Sequence, residues 1–291
     1  KILEWKEDGM SQQAISVLVS FDENYIPPFK TMFYSLIQNN PDQAFKLWLL
    51  HQQVSESALE EIRSYCQDLG ADFQAIKVKD QDFQNAAVTN RYPREMYFRL
   101  LAPFILPADL GRVLYLDPDI LVINRIEELW QTDLSGHCFA AASHKGFTDM
   151  VGGINRVRLQ TEHDYFNTGV ILMDLDRARQ VVDPDEIFAA VNKFDKLLLL
   201  PDQDIFNHLY GKHTKLLAEE KWNYDTRKYT RYYLKSEQEY TPEWTAQNTA
   251  ILHFCGRDKP WESTKFTGFV LLYQHYDQAR QHFEKERKLK T

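Results

Sequence analysis

Arg112-Val113-Leu114-Tyr115-Leu116-Asp117-Pro118-Asp119 is a short apolar run that stops on two carboxylates separated by a proline. Residues 112–116 read as a strand of a buried parallel sheet, where both faces are covered and apolar side chains run on without alternation. The aspartates that follow cannot be packed dry, because an uncompensated buried charge costs several kcal/mol or more. Pro118 lacks a backbone donor and is tolerated only where the ladder of a strand has ended. The segment therefore marks the open carboxyl edge of an interior strand.

Working back toward the start, strands are expected at residues 14–21, 45–50 and 71–78, each rich in aliphatic and β-branched side chains. Helices alternate with them. Pro27 and Pro28 open one that runs to residue 36, and Ser55 and Gly70 bracket another over 55–69. A third helix is expected over 93–106. Strand–helix alternation of this kind implies right-handed βαβ units, an α/β Rossmann-like sheet and ligands bound beyond the carboxyl ends of its strands. Further on, residues 166–175 and 249–252 read as strands, and 184–194, 202–210 and 268–288 as helices. Residues 219–246 are charged and rich in Trp and Tyr, with little periodicity. One nucleotide-binding domain over 1–265 with a small helical extension over 266–291 is the simplest division.

The chain has 291 residues, 44% hydrophobic and 26% charged, which is ordinary for a folded domain. Its formal charge of −8 argues against a broad nucleic-acid surface. Cys66, Cys138 and Cys255 match no zinc spacing and fit free thiols in a reducing compartment. With no apolar run of roughly 18 residues, a cytoplasmic location is the expectation. Because the chain opens on Lys rather than Met, a lost targeting segment stays open.

Asp117 and Asp119 at the carboxyl edge fit a single hard divalent ion, which carboxylates hold together with substrate phosphates. A solvated turn is the plain alternative. A second group lies at His253-Phe254-Cys255-Gly256-Arg257-Asp258-Lys259-Pro260-Trp261, directly after an apolar strand. His253 suits a third ligand, Gly256 permits close approach of a phosphate, and Lys259 supplies a point charge. A capped strand and surface turn would explain the same residues.

Taken together, and in this order, the two segments resemble glycosyltransferase family 8, in the branch of bacterial lipooligosaccharide galactosyltransferases more than in that of glycogenin. The likeness runs from Ile15 to Trp261. It implies a GT-A type domain with a mixed, mostly parallel sheet, and a retaining transfer of galactose or glucose from UDP-galactose or UDP-glucose to a glycan, glycolipid or glycoprotein acceptor. It implies Mn²⁺, with Mg²⁺ as the substitute, on Asp117, Asp119 and His253. Ser20, Asp22, Asn24, Asp117, Gly256 and Lys259 would hold the nucleotide. In Tyr97-Phe98-Arg99-Leu100 the arginine would touch diphosphate and sugar. In Phe166-Asn167-Thr168-Gly169 the asparagine would reach the transferred sugar. In Asp202-Gln203-Asp204 the first aspartate would bind sugar hydroxyls and Gln203 would lie beneath the anomeric carbon; a helix start with favourable acids is the alternative there. The chain departs from the family pattern at Pro118 and at Arg257-Asp258.

Three readings stay open beside this one. A non-catalytic sugar-nucleotide or glycan-binding protein would share the pocket but break a metal ligand, and none is broken. A hydrolase of UDP-sugars would use the same donor contacts. A haloacid-dehalogenase-like phosphatase would carry its paired aspartates on the first strand, not the fourth. Residues 79–95 are expected to form a lid. Trp222, Tyr224, Tyr229, Tyr232, Tyr233, Tyr240 and Trp244 are either platforms for acceptor sugars or internal packing. The basic end Arg287-Lys288-Leu289-Lys290 is either solvated or a peripheral membrane contact.

Overall fold

The computed structural model describes residues 14–78, 97–143, 150–194 and 197–289. Its first four strands, β1 (Ile15–Ser20), β2 (Phe45–His51), β3 (Asp72–Lys77) and β4 (Arg112–Leu116), fall within a residue or two of the runs expected from sequence. Helices Ile26–Asn39, Glu56–Asp68 and Phe98–Ile105 connect them. Ser55 accepts from the Ala58 N–H and caps the second of these, and Gly70 at φ +76° ends it. The expected lid, and the start of the helix expected from residue 93, lie outside the described residues.

The later strands are β5 (Ile120–Val122), β6 (Phe139–Ser143), β7 (Phe166–Asp174), β8 (Thr214–Leu217), β9 (Tyr224–Asp225) and β10 (Ile251–His253). The main sheet has the order β3-β2-β1-β4-β7-β6-β8. Among the described residues β7 alone runs against its neighbours, antiparallel to both β4 and β6, while the other six strands share one direction. A second sheet, β5-β10-β9, sits beside the end of β4.

Both faces of the main sheet are buried. Val17, Val19, Leu47, Leu114 and Leu172 face one side, with Phe29, Phe33 and Ile62 of the flanking helices. Leu18, Trp48, Val113, Tyr115 and Ile171 face the other, with Leu101, Ile187 and Phe206. This period of two across a doubly covered sheet is why the strands read as unbroken apolar runs.

Several elements escaped the sequence. β6 is Phe-Ala-Ala-Ala-Ser, fully buried, and alanine has no strand preference of its own. β5 and β9 are too short to show a period. Residues 219–246 resolve into helices Glu219–Trp222, Tyr229–Lys235 and Pro242–Asn248 around β9, each of two turns or fewer.

Most of the aromatic residues there serve as packing. Trp222 joins the main core, and Tyr224 and Tyr232 form a separate cluster with Leu252, Phe254 and Tyr273. Tyr240 and Trp244 stack on each other, with ring centroids 4.0 Å apart.

Helix Gly268–Lys288 has the expected bounds and lies on Ile26–Asn39. Buried Lys30 reaches Glu61 at 2.6 Å and Glu284 at 3.1 Å, and the Thr31 hydroxyl donates to Asp277. At its end Arg287 donates to the Asp68 carbonyl. No described helix is long and apolar enough to cross a membrane.

Candidate active site

The reversal of β7 and the placement of β10 assemble the site. Because β7 is antiparallel to β4, its first residues meet the carboxyl end of β4: Leu116 faces Val170, and the Asp117 N–H donates to the Gly169 carbonyl at 2.8 Å. β10 pairs with β5 so that His253 stands opposite Ile120, and the Phe254 N–H donates to the Asp119 carbonyl at 3.0 Å. The two motifs read separately from sequence thus converge.

One ligand atom from each of Asp117, Asp119 and His253 lies within 4.8 Å of the others. His253 Nε2 is 3.3 Å from Asp119 Oδ1 and 3.9 Å from Asp117 Oδ2. Two carboxylate oxygens and an imidazole nitrogen form a donor set that fits a divalent cation. Gly169 leaves the room: a Cβ on it would lie 2.2 Å from His253 Cε1 and 2.8 Å from Asp117 Oδ2.

Burial alone would raise the Asp119 carboxyl, but His253 and Lys259 outweigh it and hold the group well below the usual carboxylate range. Burial likewise opposes charge on His253, yet Cys255 and Asp119 hold it well above the ordinary imidazole value. A cation held by these three side chains would require the imidazole nitrogen facing the carboxylates to be unprotonated, which couples its binding to pH.

Arg99 is fixed on three sides. It reaches Asp117 Oδ1 at 3.1 Å and Asp202 Oδ2 at 3.3 Å, and donates to the Thr168 carbonyl at 2.9 Å. Its guanidinium lies over the Tyr115 ring at 4.4 Å, while the Tyr115 hydroxyl donates to Asp117 at 2.7 Å. Asp202, desolvated beside Arg99, has its carboxyl held above the ordinary range because burial outweighs the arginine's attraction.

Asn167 and Gln203 meet across β7 and helix Pro201–Tyr210, the Asn167 amide donating to Gln203 Oε1 at 3.1 Å. The Thr168 N–H donates to the same oxygen at 3.2 Å. Asp202 and Gln203 face the pocket, whereas Asp204 turns inward. Its carboxylate accepts from Nη1 and Nη2 of Arg158, the Tyr165 hydroxyl and the Leu199 and Leu200 N–H groups, so it forms a buried ion pair and ties down the chain entering the helix. Asp202 and Gln203 are thus available to a ligand in the pocket, while Asp204 serves the packing of the helix start.

A single pocket of about 530 Å³ is lined by Arg99, Asp117, Asp119, Asn167, Asp202, Gln203, His253 and Gly256. Eight of the twelve residues singled out in the sequence therefore share one wall. Lys259 stands behind it, bonded to Asp119 and to the Phe254 carbonyl at 3.1 Å. Ser20, Asp22 and Asn24 lie outside the pocket lining, at the carboxyl end of β1. There Asp22 caps the turn Glu23–Tyr25 by accepting from the Asn24 N–H. Tyr25 contacts Trp261 edge-on at 6.0 Å, which joins that turn to the loop of Lys259. Ser20 Oγ is buried with no hydrogen-bond partner among the described residues.

Sequence reading missed Asn223, Arg158, Tyr165 and Arg227. Arg227 lines the pocket and is gripped bidentately by buried Asp225, with Nη1 against Gly256, whose φ of +89° needs glycine. None of the seven aromatic residues considered as acceptor platforms lines this pocket. Asn223 lies between two of them, in the stretch without periodicity.

The family model Glycosyl transferase family 8 matches residues 16–265. General stress protein A of Bacillus subtilis is 25% identical over 264 residues, covering 88% of this chain and 90% of that protein. A lipopolysaccharide 1,2-glucosyltransferase of Escherichia coli is 25% identical over 274 residues, 91% of this chain and 78% of its own length. The crystal structure of the galactosyltransferase LgtC with donor and acceptor sugar analogues superposes with a TM-score of 0.74 at 23% identity, over 91% of this chain and 96% of that one.

Proposed function

The chain belongs to glycosyl transferase family 8, and from that premise we propose that it transfers galactose or glucose, with retention, from a UDP-sugar to a glycan-bearing acceptor, using a divalent cation. One observation carries the reading: Asp117, Asp119 and His253 converge within 4.8 Å on the wall of the same pocket as Asn167, Asp202 and Gln203. A relative that is a lipopolysaccharide glucosyltransferase and a neighbour in fold that is a galactosyltransferase support a hexose donor without choosing between the two sugars.

Mn²⁺ held by the triad would supply Lewis-acid charge opposite the leaving diphosphate. The remaining work falls to the chain's own groups. Arg99, already oriented by Asp117 and Asp202, offers its charge at the carboxyl edge of β4. Ser20, Asp22 and Asn24 are assigned to the nucleoside, and Gly256 and Lys259 to the diphosphate.

Double displacement needs a nucleophile beneath the anomeric carbon. Gln203 is poorly suited, since an amide is a weak nucleophile and its Oε1 already accepts from the Thr168 N–H and the Asn167 amide. Front-face substitution fits better: the bond from anomeric carbon to diphosphate oxygen breaks as the acceptor oxygen bonds on the same face. The acceptor proton passes to the departing diphosphate.

The test is UDP release from a panel of UDP-sugars with Mn²⁺, with EDTA, and in Asp119→Ala. Release from UDP-galactose or UDP-glucose that needs metal and disappears in the variant is the expected result. UDP binding with no turnover on any acceptor would favour a binding protein, and no UDP binding would overturn the reading.

A further inference from the structure

Asn223 is fully buried in the turn before β9, in a segment that carries no motif. His253 Nδ1 lies 2.8 Å from its Oδ1, and its Nδ2 donates to Asn167 Oδ1 at 2.9 Å. The orientation of this amide is not a matter of choice. The Gly169 N–H donates to Asn167 Oδ1 at 2.9 Å, so that oxygen is an acceptor and must be faced by the Asn223 NH₂. Asn223 Oδ1 is then left for the imidazole, whose Nδ1 must carry the hydrogen. The other ring nitrogen, Nε2, is the one directed at Asp117 and Asp119.

We propose that Asn223 is a positioning residue for the cation site: it fixes the Nδ1–H tautomer and ring angle of His253, so that Nε2 offers its lone pair between the two aspartates. The inference rests on the metal reading given above. The direction of the relay originates in backbone N–H groups at the start of β7, which cannot flip. Those groups also hold Asn167 and, through Thr168, Gln203. The cation ligand and the pocket face assigned to the sugar are therefore tied into one line of amides, His253–Asn223–Asn167–Gln203. Groups that orient a metal-bound imidazole commonly set affinity by about 10–100-fold when removed.

The experiment is calorimetric Mn²⁺ titration of wild type, Asn223→Leu and Asn223→Asp, with UDP binding in EDTA as the check on folding. Asn223→Asp keeps an acceptor for His253 Nδ1 and loses the donor to Asn167. The expected result is a loss of Mn²⁺ affinity of roughly 10-fold or more in Asn223→Leu, with recovery to within a few-fold in Asn223→Asp. Unchanged affinity in Asn223→Leu overturns the proposal, as does an equal loss in both variants, which would make the residue merely structural. Should Asn223→Leu not fold, long-range ¹H–¹⁵N spectra of the Zn²⁺-loaded wild-type protein decide: a proton on His253 Nδ1 supports the assignment, and one on Nε2 refutes it. A wild type that binds UDP but no divalent cation removes the metal reading itself, a separate failure from that of Asn223.

Discussion

The Gly169 carbonyl accepts the backbone N–H of Asp117 at 2.8 Å, so the start of β7 and the first residue after β4 are held edge to edge. This contact sets how closely His253 can approach. A Cβ on Gly169 would lie 2.2 Å from the His253 ring, which is itself buried, so one of the two must shift. Gly169→Ala is therefore expected to push His253 off the carboxylates and lower Mn²⁺ affinity by at least about tenfold. Calorimetry beside a thermal melt separates this from unfolding, and an unchanged affinity would show that the ring can move.

Asp202 and Gln203 distinguish the two routes to retention. If substitution is front-face, Gln203→Ala and Asp202→Asn both reduce turnover and neither accumulates an adduct. Mass spectrometry after incubation with donor reads this directly. A trapped glycosyl-enzyme on Asp202 would install the covalent route instead.

The Asp204 side chain is fully buried and accepts from Arg158 at 2.6 and 2.7 Å. Removing one partner leaves the other charged and desolvated, at a cost of about 3–5 kcal/mol. Asp204→Ala should lose stability on that scale in urea denaturation, and a loss under about 1 kcal/mol would mean that water reaches Arg158.

Cys66 gives a pH-dependent readout distant from the pocket. Burial pushes its thiol from 9.0 up to about 12. The folded state keeps this proton where the unfolded chain releases it. The contribution is complete below about pH 9 and declines as pH rises toward 12. At pH 8.5 a thiol reagent should leave Cys66 unmodified until denaturant is added; labelling at the rate of a free thiol would contradict its burial.

Much of this protein can be read directly from its chain. The four leading strands, the caps of the helix after β2 and the edge position of Asp117-Pro118-Asp119 follow from local preference and from the cost of burying charge. Helices Pro184–Phe194 and Gly268–Lys288 were legible because their apolar positions repeat over three or more turns. The resemblance in two short motifs identified the family, and eight of the residues it marked line one pocket.

What sequence could not supply is direction and adjacency. Nothing local reveals that β7 runs backwards, since a strand buried on both faces looks the same either way. Yet that reversal brings Asn167 and Gly169 to the end of β4 rather than to the far edge. Nor does any pattern mark Asn223, because its role lies in two hydrogen bonds to residues 30 and 56 positions away. Apolar periodicity and turn chemistry are properties of neighbours in the chain, and so they were available from the start. The tautomer of His253 depends on an amide relay that exists only once strand pairing has closed those distances, and so the tertiary structure alone decided it.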